Sequence, residues 1–237
     1  MPAVRAVTLD AAGTLIAVAE PVGETYARVA TRHGLRLSVA EAEAGFRRAL
    51  AAQTPLAFPH SSESERRERE RAWWYAVVRG ALGATTRDDG LEAACAELFA
   101  HYADPRAWCV FPEVPRVLER LRARGALLAV VSNFDGRLVP LLAALGLSQR
   151  VDAIVHSSAA GSAKPDPAIF RAALARLGVP PADALHVGDD PAADVTGARR
   201  AGLGTALVDR RGQRPAVPEG VPVLGSLDEL PGLTGAP

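Results

Sequence analysis

Four apolar runs in this chain are each followed by residues able to do chemistry. Leu9 leads into Asp10-Ala11-Ala12-Gly13-Thr14, and Val131 into Ser132-Asn133-Phe134-Asp135. A third run is followed by Gly161-Ser162-Ala163-Lys164-Pro165. Val187 leads into Gly188-Asp189-Asp190, with Asp194 five positions beyond Asp189. Lys164 is the one lysine among 27 basic residues; every other is arginine. A position that keeps lysine in such a chain points to a need for a compact ammonium that a planar guanidinium does not replace. Asp10, after a buried run and before a glycine turn, has the setting of a carboxylate nucleophile. A carboxylate repels a phosphate ester unless its charge is neutralised. Asp10, Asp189 and Asp190 could hold Mg²⁺, which takes one or two carboxylates together with water and phosphate oxygens. Lys164 would add a point positive charge. Ser132 and the Asn133 backbone N–H are donors of the kind that stabilise transferring oxygens. Asp194 could hold Lys164 in place. Asp10 or Asp189 alone reads equally well as a helix cap; the four strand ends taken together read as a site.

Elements must bring these segments to one place. The runs Val4–Leu9, Ala126–Val131, Ala153–Val155, Ala184–Val187, Thr205–Val208 and a weaker Val221–Leu224 are continuous in apolar character. That is the pattern of parallel strands covered on both faces. Helical spacings separate the later runs: Val117, Leu118 and Leu121 before Gly125; Leu138, Leu141, Leu142 and Leu145 before Gly146; Ile169, Phe170, Leu174 and Leu177 before Gly178. Alternation of strand and helix predicts an α/β fold: a Rossmann-like three-layer core with a mostly parallel sheet of about five or six strands. In such a sheet ligands bind outside the carboxyl ends of the strands, where all four segments fall.

Between the first strand and the second lies a long stretch that reads as helices. Val22, Tyr26, Val29 and Ala30 share one face, as do Leu91, Cys95, Leu98, Phe99 and Tyr102, and Asp89 with Glu92 suggests a capping box. The run Glu63–Arg71 alternates charge, with Glu63→Arg67 and Glu65→Arg69 at helical spacing, and reads as a solvated face rather than a nucleic-acid site. The expected organisation is an α/β core over 1–16 and 112–237 with a helical cap domain inserted at 17–111. Trp73-Trp74 with Val77-Val78 reads as packing within the cap, Cys95 as an inert packing thiol, and Asp166 as a helix N-cap. His156 and His186 lie near strand ends, either bordering the site or satisfied within the core.

Composition narrows the classes. The 49% apolar and 23% charged content is that of a globular chain. Basic and acidic residues balance at 27 each, so no global field draws in nucleic acid or an anionic membrane. No apolar run approaches the ~20 residues of a spanning helix, and MPAVRAVTLD lacks the layout of a signal peptide. Two cysteines build neither a disulfide framework nor a zinc cage, which suits a reducing cytoplasmic setting. Oligomeric state is not encoded in any pattern here.

The motifs DAAGTL (Asp10–Leu15), SNFD (Ser132–Asp135), AKPDPAIF around Lys164-Pro165 and HVGDDPAADVTGARRAG (His186–Gly202) resemble, in order and spacing, the haloacid dehalogenase superfamily, with the cap inserted after the first motif. Within it, Pro21–Leu35, Trp73-Trp74 with Val77-Val78, and Ser132–Leu138 resemble the group called haloacid-dehalogenase-like hydrolase domain-containing protein 3. The resemblance implies Asp10 as the nucleophile of an aspartyl intermediate. It implies Mg²⁺ held by the Asp10 carboxylate, the Ala12 carbonyl and Asp189. Thr14 and Ser132 would position a phosphate and Lys164 would stabilise it, with Asp190 and Asp194 supporting metal and lysine.

One departure matters. Most phosphatases of the superfamily carry Asp two residues after the nucleophile, as general acid and then base; here that residue is Ala12. Loss of such help costs about 10²–10⁴ in rate. It weighs most on alkyl esters and least on acyl or aryl phosphates, whose leaving groups are already stable anions. The expectation is a slow or leaving-group-selective phosphatase acting on a small phosphorylated metabolite. His60 is a chemical candidate for activating water, against its reading as an exposed loop residue. The alternatives are a catalytically impaired module that binds metal and phosphate, and dehalogenase chemistry, against which Ala12 and the Asp189-Asp190 pair argue. Phosphonate cleavage through a cap lysine is excluded, because the cap has none.

Overall fold

The apolar runs lie side by side. The computed structural model describes residues 4–83, 89–213 and 215–235, with the backbone alone of Asp89. The Asp89–Glu92 capping box therefore lies outside the described residues. The chain runs β1 (Ala6–Leu9), β2 (Ile16–Val18), α1 (Val22–Arg32), α2 (Val39–Ala51), α3 (Glu63–Leu82), α4 (Asp89–His101), β3 (Trp108–Val110), α5 (Val114–Ala123), β4 (Leu127–Ser132), α6 (Leu138–Ala144), β5 (Ala153–His156), α7 (Ser157–Ala160), α8 (Pro167–Leu177), β6 (Ala184–Gly188), α9 (Gly197–Arg200), β7 (Gly204–Val208), β8 (Val223–Leu224) and α10 (Leu230–Leu233).

Six strands form one sheet in the order β5-β4-β1-β6-β7-β8, and the neighbouring pairs are parallel. The chain steps from β1 through β4 to β5, then returns to the other side of β1 for β6, β7 and β8. This is the Rossmann order, and its reversal falls between β1 and β6, the point at whose carboxyl ends such sheets bind ligands. The register sets Leu9 beside both Val130 and Val187. Asp10, Ser132 and Asp189 thus leave the sheet within two residues of one another along the strand direction.

Both faces of the sheet are covered, which explains the continuous apolar runs. Ala6, Ala129, Val131 and Val155 pack with Ile169, Phe170, Ala173 and Leu174 of α8 and with Ala198 and Leu203. The alternate residues Val7, Leu9, Leu128 and Val130 point the other way and are also fully buried.

The chain divides into two compact units: Met1–Ala17 with Ala57–His60 and Val110–Pro237, and Val18–Leu56 with Ser61–Cys109. The sheet lies in the first unit. A second, two-stranded sheet of β2 and β3 marks where the chain leaves and re-enters it; three residues apiece are too few to show a strand pattern in the sequence. The short segment Ala57–His60 groups with the sheet unit, where Phe58 N–H donates to the Ser158 carbonyl at 3.3 Å.

The second unit is a helical cluster around Tyr26, Val29, Ala42, Val77, Val78, Leu91, Cys95 and Leu98, with Trp73 and Trp74 packed against it. Ser38 with Glu41 and Ser62 with Glu65 close capping boxes on α2 and α3. On the charged face Glu63 pairs with Arg67, but Glu65 turns back to Ser62, because the exposed amides at the start of α3 compete for its carboxylate. Burial pushes the Cys95 thiol up to about 11, so it is inert.

Candidate active site

The nucleophile candidate sits where β1 ends. The Asp10 N–H donates to the Val187 carbonyl at 2.9 Å, so its backbone is tied across the switch point to β6. Its side chain is buried. The following turn is tight: the N–H groups of Leu15 and Ile16 both donate to the Ala11 carbonyl, and Gly13 N–H to the Ile16 carbonyl. Gly13 takes φ +88°, and a Cβ there would lie 2.2 Å from Asp189 Oδ2, so only glycine lets this turn approach that carboxylate.

Lys164 arrives from the loop after α7. Its Nζ donates to Asp10 Oδ1 and to Asp194 Oδ1, each at 2.6 Å, and the side chain is 3% exposed. Asn133, just beyond β4, holds the Lys164 backbone from both sides: Lys164 N–H donates to Asn133 Oδ1 at 2.7 Å, and Asn133 Nδ2 donates to the Lys164 carbonyl at 2.9 Å. The side chain of Asn133 is therefore an anchor for lysine, whereas the sequence suggested only its backbone N–H. The Ser132 hydroxyl lies near Asp10 and favours its ionised form.

Asp194 lies in a π-helical turn, Pro191–Thr196. Its Oδ2 accepts from Asp190 N–H at 2.9 Å, and its Oδ1 faces His186 Nε2 at 3.1 Å. His186 Nδ1 in turn lies 2.8 Å from Thr8 Oγ1. A buried chain of polar groups thus runs Thr8–His186–Asp194–Lys164–Asp10, and it settles His186 as a satisfied residue that braces Asp194. Gly188 makes room: a Cβ there would sit 2.1 Å from Asp194 Cγ.

Carboxylate oxygens of Asp10, Asp189 and Asp194 all lie within 4.8 Å of one another. Asp190 lies outside that cluster. Its Oδ1 accepts from the N–H groups of Ala192 and Ala193, with Pro191 at the first helical position, so its carboxylate is spent as a helix N-cap. Ala12 is exposed within the turn. Thr14 is fully buried, and its hydroxyl has no hydrogen-bond partner among the described residues. The His156 ring is bonded to Ser158, and Asp166 caps α8.

The electrostatics follow from these contacts. Burial raises Asp10 above the ordinary carboxylate range, against the pull of Lys164. The Lys164 ammonium, although desolvated, is held charged by Asp10 and Asp194, which raise its pKa. Asp194 is lowered, because Lys164 and His186 outweigh its desolvation. Asp189 is pushed up to about 7, first by lost hydration and then by the charges of Asp10 and Asp194. Its side chain reaches the surface, where water lessens that strain. Three carboxylates face one ammonium, so full ionisation would leave a surplus of two negative charges. An all-oxygen donor set with that surplus fits a hard divalent cation.

A family model for haloacid dehalogenase-like hydrolases matches residues 4–202. The chain is 38% identical over 234 residues to haloacid dehalogenase-like hydrolase domain-containing protein 3 of Mus musculus, covering 95% of this chain and 92% of that protein. It is 40% identical over 134 residues to a phosphoserine phosphatase of Thermus thermophilus, covering 55% of this chain and 53% of that protein. Among solved structures, the haloacid dehalogenase-type phosphatase of Thermococcus onnurineus superposes with a TM-score of 0.67 at 25% identity, over 98% of both chains.

Proposed function

This chain belongs to the haloacid dehalogenase-like hydrolase family, and we propose that it is a Mg²⁺-dependent phosphatase acting on a small phosphorylated metabolite. Asp10 is its nucleophile, and its turnover favours good leaving groups. The observation that carries this reading is the Lys164 ammonium shared at 2.6 Å between Asp10 and Asp194, with Asp189 in the same oxygen cluster. Asp10, Asp189 and the Ala12 carbonyl would hold the metal, and Asp190 would support it only through the backbone it caps. A bound Mg²⁺ would neutralise the carboxylates and polarise a phosphoryl oxygen.

The residues divide the work. Lys164 opposes the upward pull of burial on Asp10 and would present charge to an incoming phosphoryl group. The hydroxyls of Ser132 and Thr14 would serve as donors to the phosphoryl oxygens, a role supported for Thr14 by a hydroxyl without a partner among the described residues. Attack by Asp10 oxygen on phosphorus forms one P–O bond as the bond to the leaving oxygen breaks, giving an aspartyl phosphate. Ala12 offers no proton to that oxygen, so a leaving group already stable as an anion is favoured. Hydrolysis of the aspartyl phosphate then depends on water without a neighbouring carboxylate base at position 12.

The same methyl group at Ala12 favours a second reading, a module that binds metal and phosphate with little turnover. Dehalogenase chemistry is disfavoured by the cluster: unneeded carboxylates beside Asp10 would raise its pKa and weaken it as a nucleophile. A panel of acyl, aryl and alkyl phosphates assayed with Mg²⁺ or with EDTA decides among the three. The reading expects phosphate release from acyl and aryl compounds that EDTA and Asp10→Asn both abolish. Activity indifferent to either removes it, and tight Mg²⁺ and phosphate binding without turnover supports the module.

A further inference from the structure

The turn that carries Asp10 is also held by a residue far from it in sequence. We infer that Arg210, two residues beyond β7, is a positioning residue that fixes the Asp10–Thr14 turn by bonding its carbonyls. The amides of this turn point inward, onto the Ala11 and Ile16 carbonyls. The Gly13 and Thr14 carbonyls point to Arg210: its Nε donates to Gly13 O at 3.2 Å and its Nη2 to Thr14 O at 2.5 Å. The third nitrogen, Nη1, pairs with Glu113 Oε1 at 2.6 Å, and the guanidinium carbon sits 3.5 Å from the centre of the Phe111 ring. Phe111 N–H donates to the Leu15 carbonyl, so the segment entering α5 and the nucleophile turn are already neighbours. One planar cation therefore joins three stretches of chain, with side-chain exposures of 14% for Arg210 and 9% for Glu113.

The planar fork explains why arginine serves here. Nε and Nη2 reach two carbonyls while Nη1 lies 2.6 Å from a carboxylate oxygen, three contacts from one fork that a single ammonium does not reproduce. Glu113 balances the charge, so the effect on Asp10 is geometric rather than electrostatic. Fixing the carbonyls on either side of Thr14 sets the backbone that presents the Ala12 carbonyl and the Thr14 hydroxyl. Displacement of reacting groups by about 1 Å can cost on the order of 10² in rate. The kinetic part of this inference rests on the phosphatase reading; the structural part does not.

The test uses Arg210→Lys and the double variant Arg210→Met with Glu113→Gln, which leaves no lone buried charge. Two quantities are read on folded protein: amide hydrogen exchange by peptide, and kcat and KM for p-nitrophenyl phosphate with Mg²⁺. The expected result is faster exchange confined to peptides spanning 11–16 and 110–114, with 128–132 unchanged. The double variant should lose about 10–100-fold in kcat with KM within about threefold, and lysine should restore part of it. Unchanged exchange at 11–16, a uniform rise across the chain, or altered exchange with unaltered kcat would each overturn the inference. If the wild-type chain releases no phosphate, the phosphatase reading falls, and the exchange pattern still decides whether Arg210 holds the turn.

Discussion

Replacing Lys164 by methionine keeps the shape of the side chain and removes the one ammonium between two buried carboxylates. Each contact, at 2.6 Å, corresponds to about 6 kcal/mol of attraction at an effective dielectric near 20, before desolvation is subtracted. The net loss on removing one partner of a buried pair is about 3–5 kcal/mol. At roughly 2–4 °C per kcal/mol for a chain of this size, the melting temperature should fall by about 6–20 °C. The loss must also depend on pH. In the wild-type chain Asp194 is lowered in the folded state, so its contribution is present above the unfolded carboxylate range and lost as pH falls through it. Lys164 is raised, so its contribution persists to strongly alkaline pH. Without Lys164 the acids lose their counter-charge and their folded pKa values rise above the unfolded ones. Stability then falls as pH rises from about 4 to 8. The deficit measured by thermal melts in EDTA should therefore be greater at pH 8 than at pH 5. An equal deficit at both, or a shift under about 3 °C at pH 8, would refute the claim that this ammonium stabilises charged Asp10 and Asp194.

Two further outcomes follow from the same site. Ala12→Asp should raise turnover of alkyl phosphates by up to about 10²–10⁴ while changing acyl phosphates much less, read from initial rates on matched substrates; equal gains on both would mean that position 12 does not limit leaving-group departure. Because Asp189 is pushed up to about 7, protons should compete with Mg²⁺ there, and apparent affinity by calorimetry should weaken about tenfold per pH unit below 7 and level off above it. A flat profile between pH 5.5 and 7 would count against Asp189 as a ligand.

Much of this architecture is legible because burial on both faces leaves a plain mark. Leu128–Val131 is apolar without alternation and ends at Ser132 on the rim, and Ala184–Val187 is interrupted only by His186, with Asp189 following Gly188. The glycines and the sole lysine gave spacing and charge. Other features depend on contacts that leave little trace. The strands Ile16–Val18 and Trp108–Val110 are too short for a period to emerge, and the grouping of Ala57–His60 with the sheet unit is a matter of tertiary packing. Asp190 adjoins Asp189 in sequence but lies outside the oxygen cluster, and the Asp-Pro pair it forms with Pro191 is a helix-start signature legible in the sequence. Asn133 acts through its side chain, and nothing in the sequence distinguishes an amide that grips a backbone from one that faces water. Arg210 is one arginine among 26, with no motif around it.

The central claim is that Asp10 receives the phosphoryl group when a divalent cation is present. The most direct measurement is acid quenching of the chain during reaction with acetyl phosphate, followed by peptide mass analysis. The account predicts one added phosphoryl group on the peptide containing Asp10, formed with Mg²⁺, absent with EDTA, and longer-lived than in the Ala12→Asp variant. Phosphate release with Asp10 unmodified at every quench time, or labelling that persists undiminished in EDTA, would contradict it.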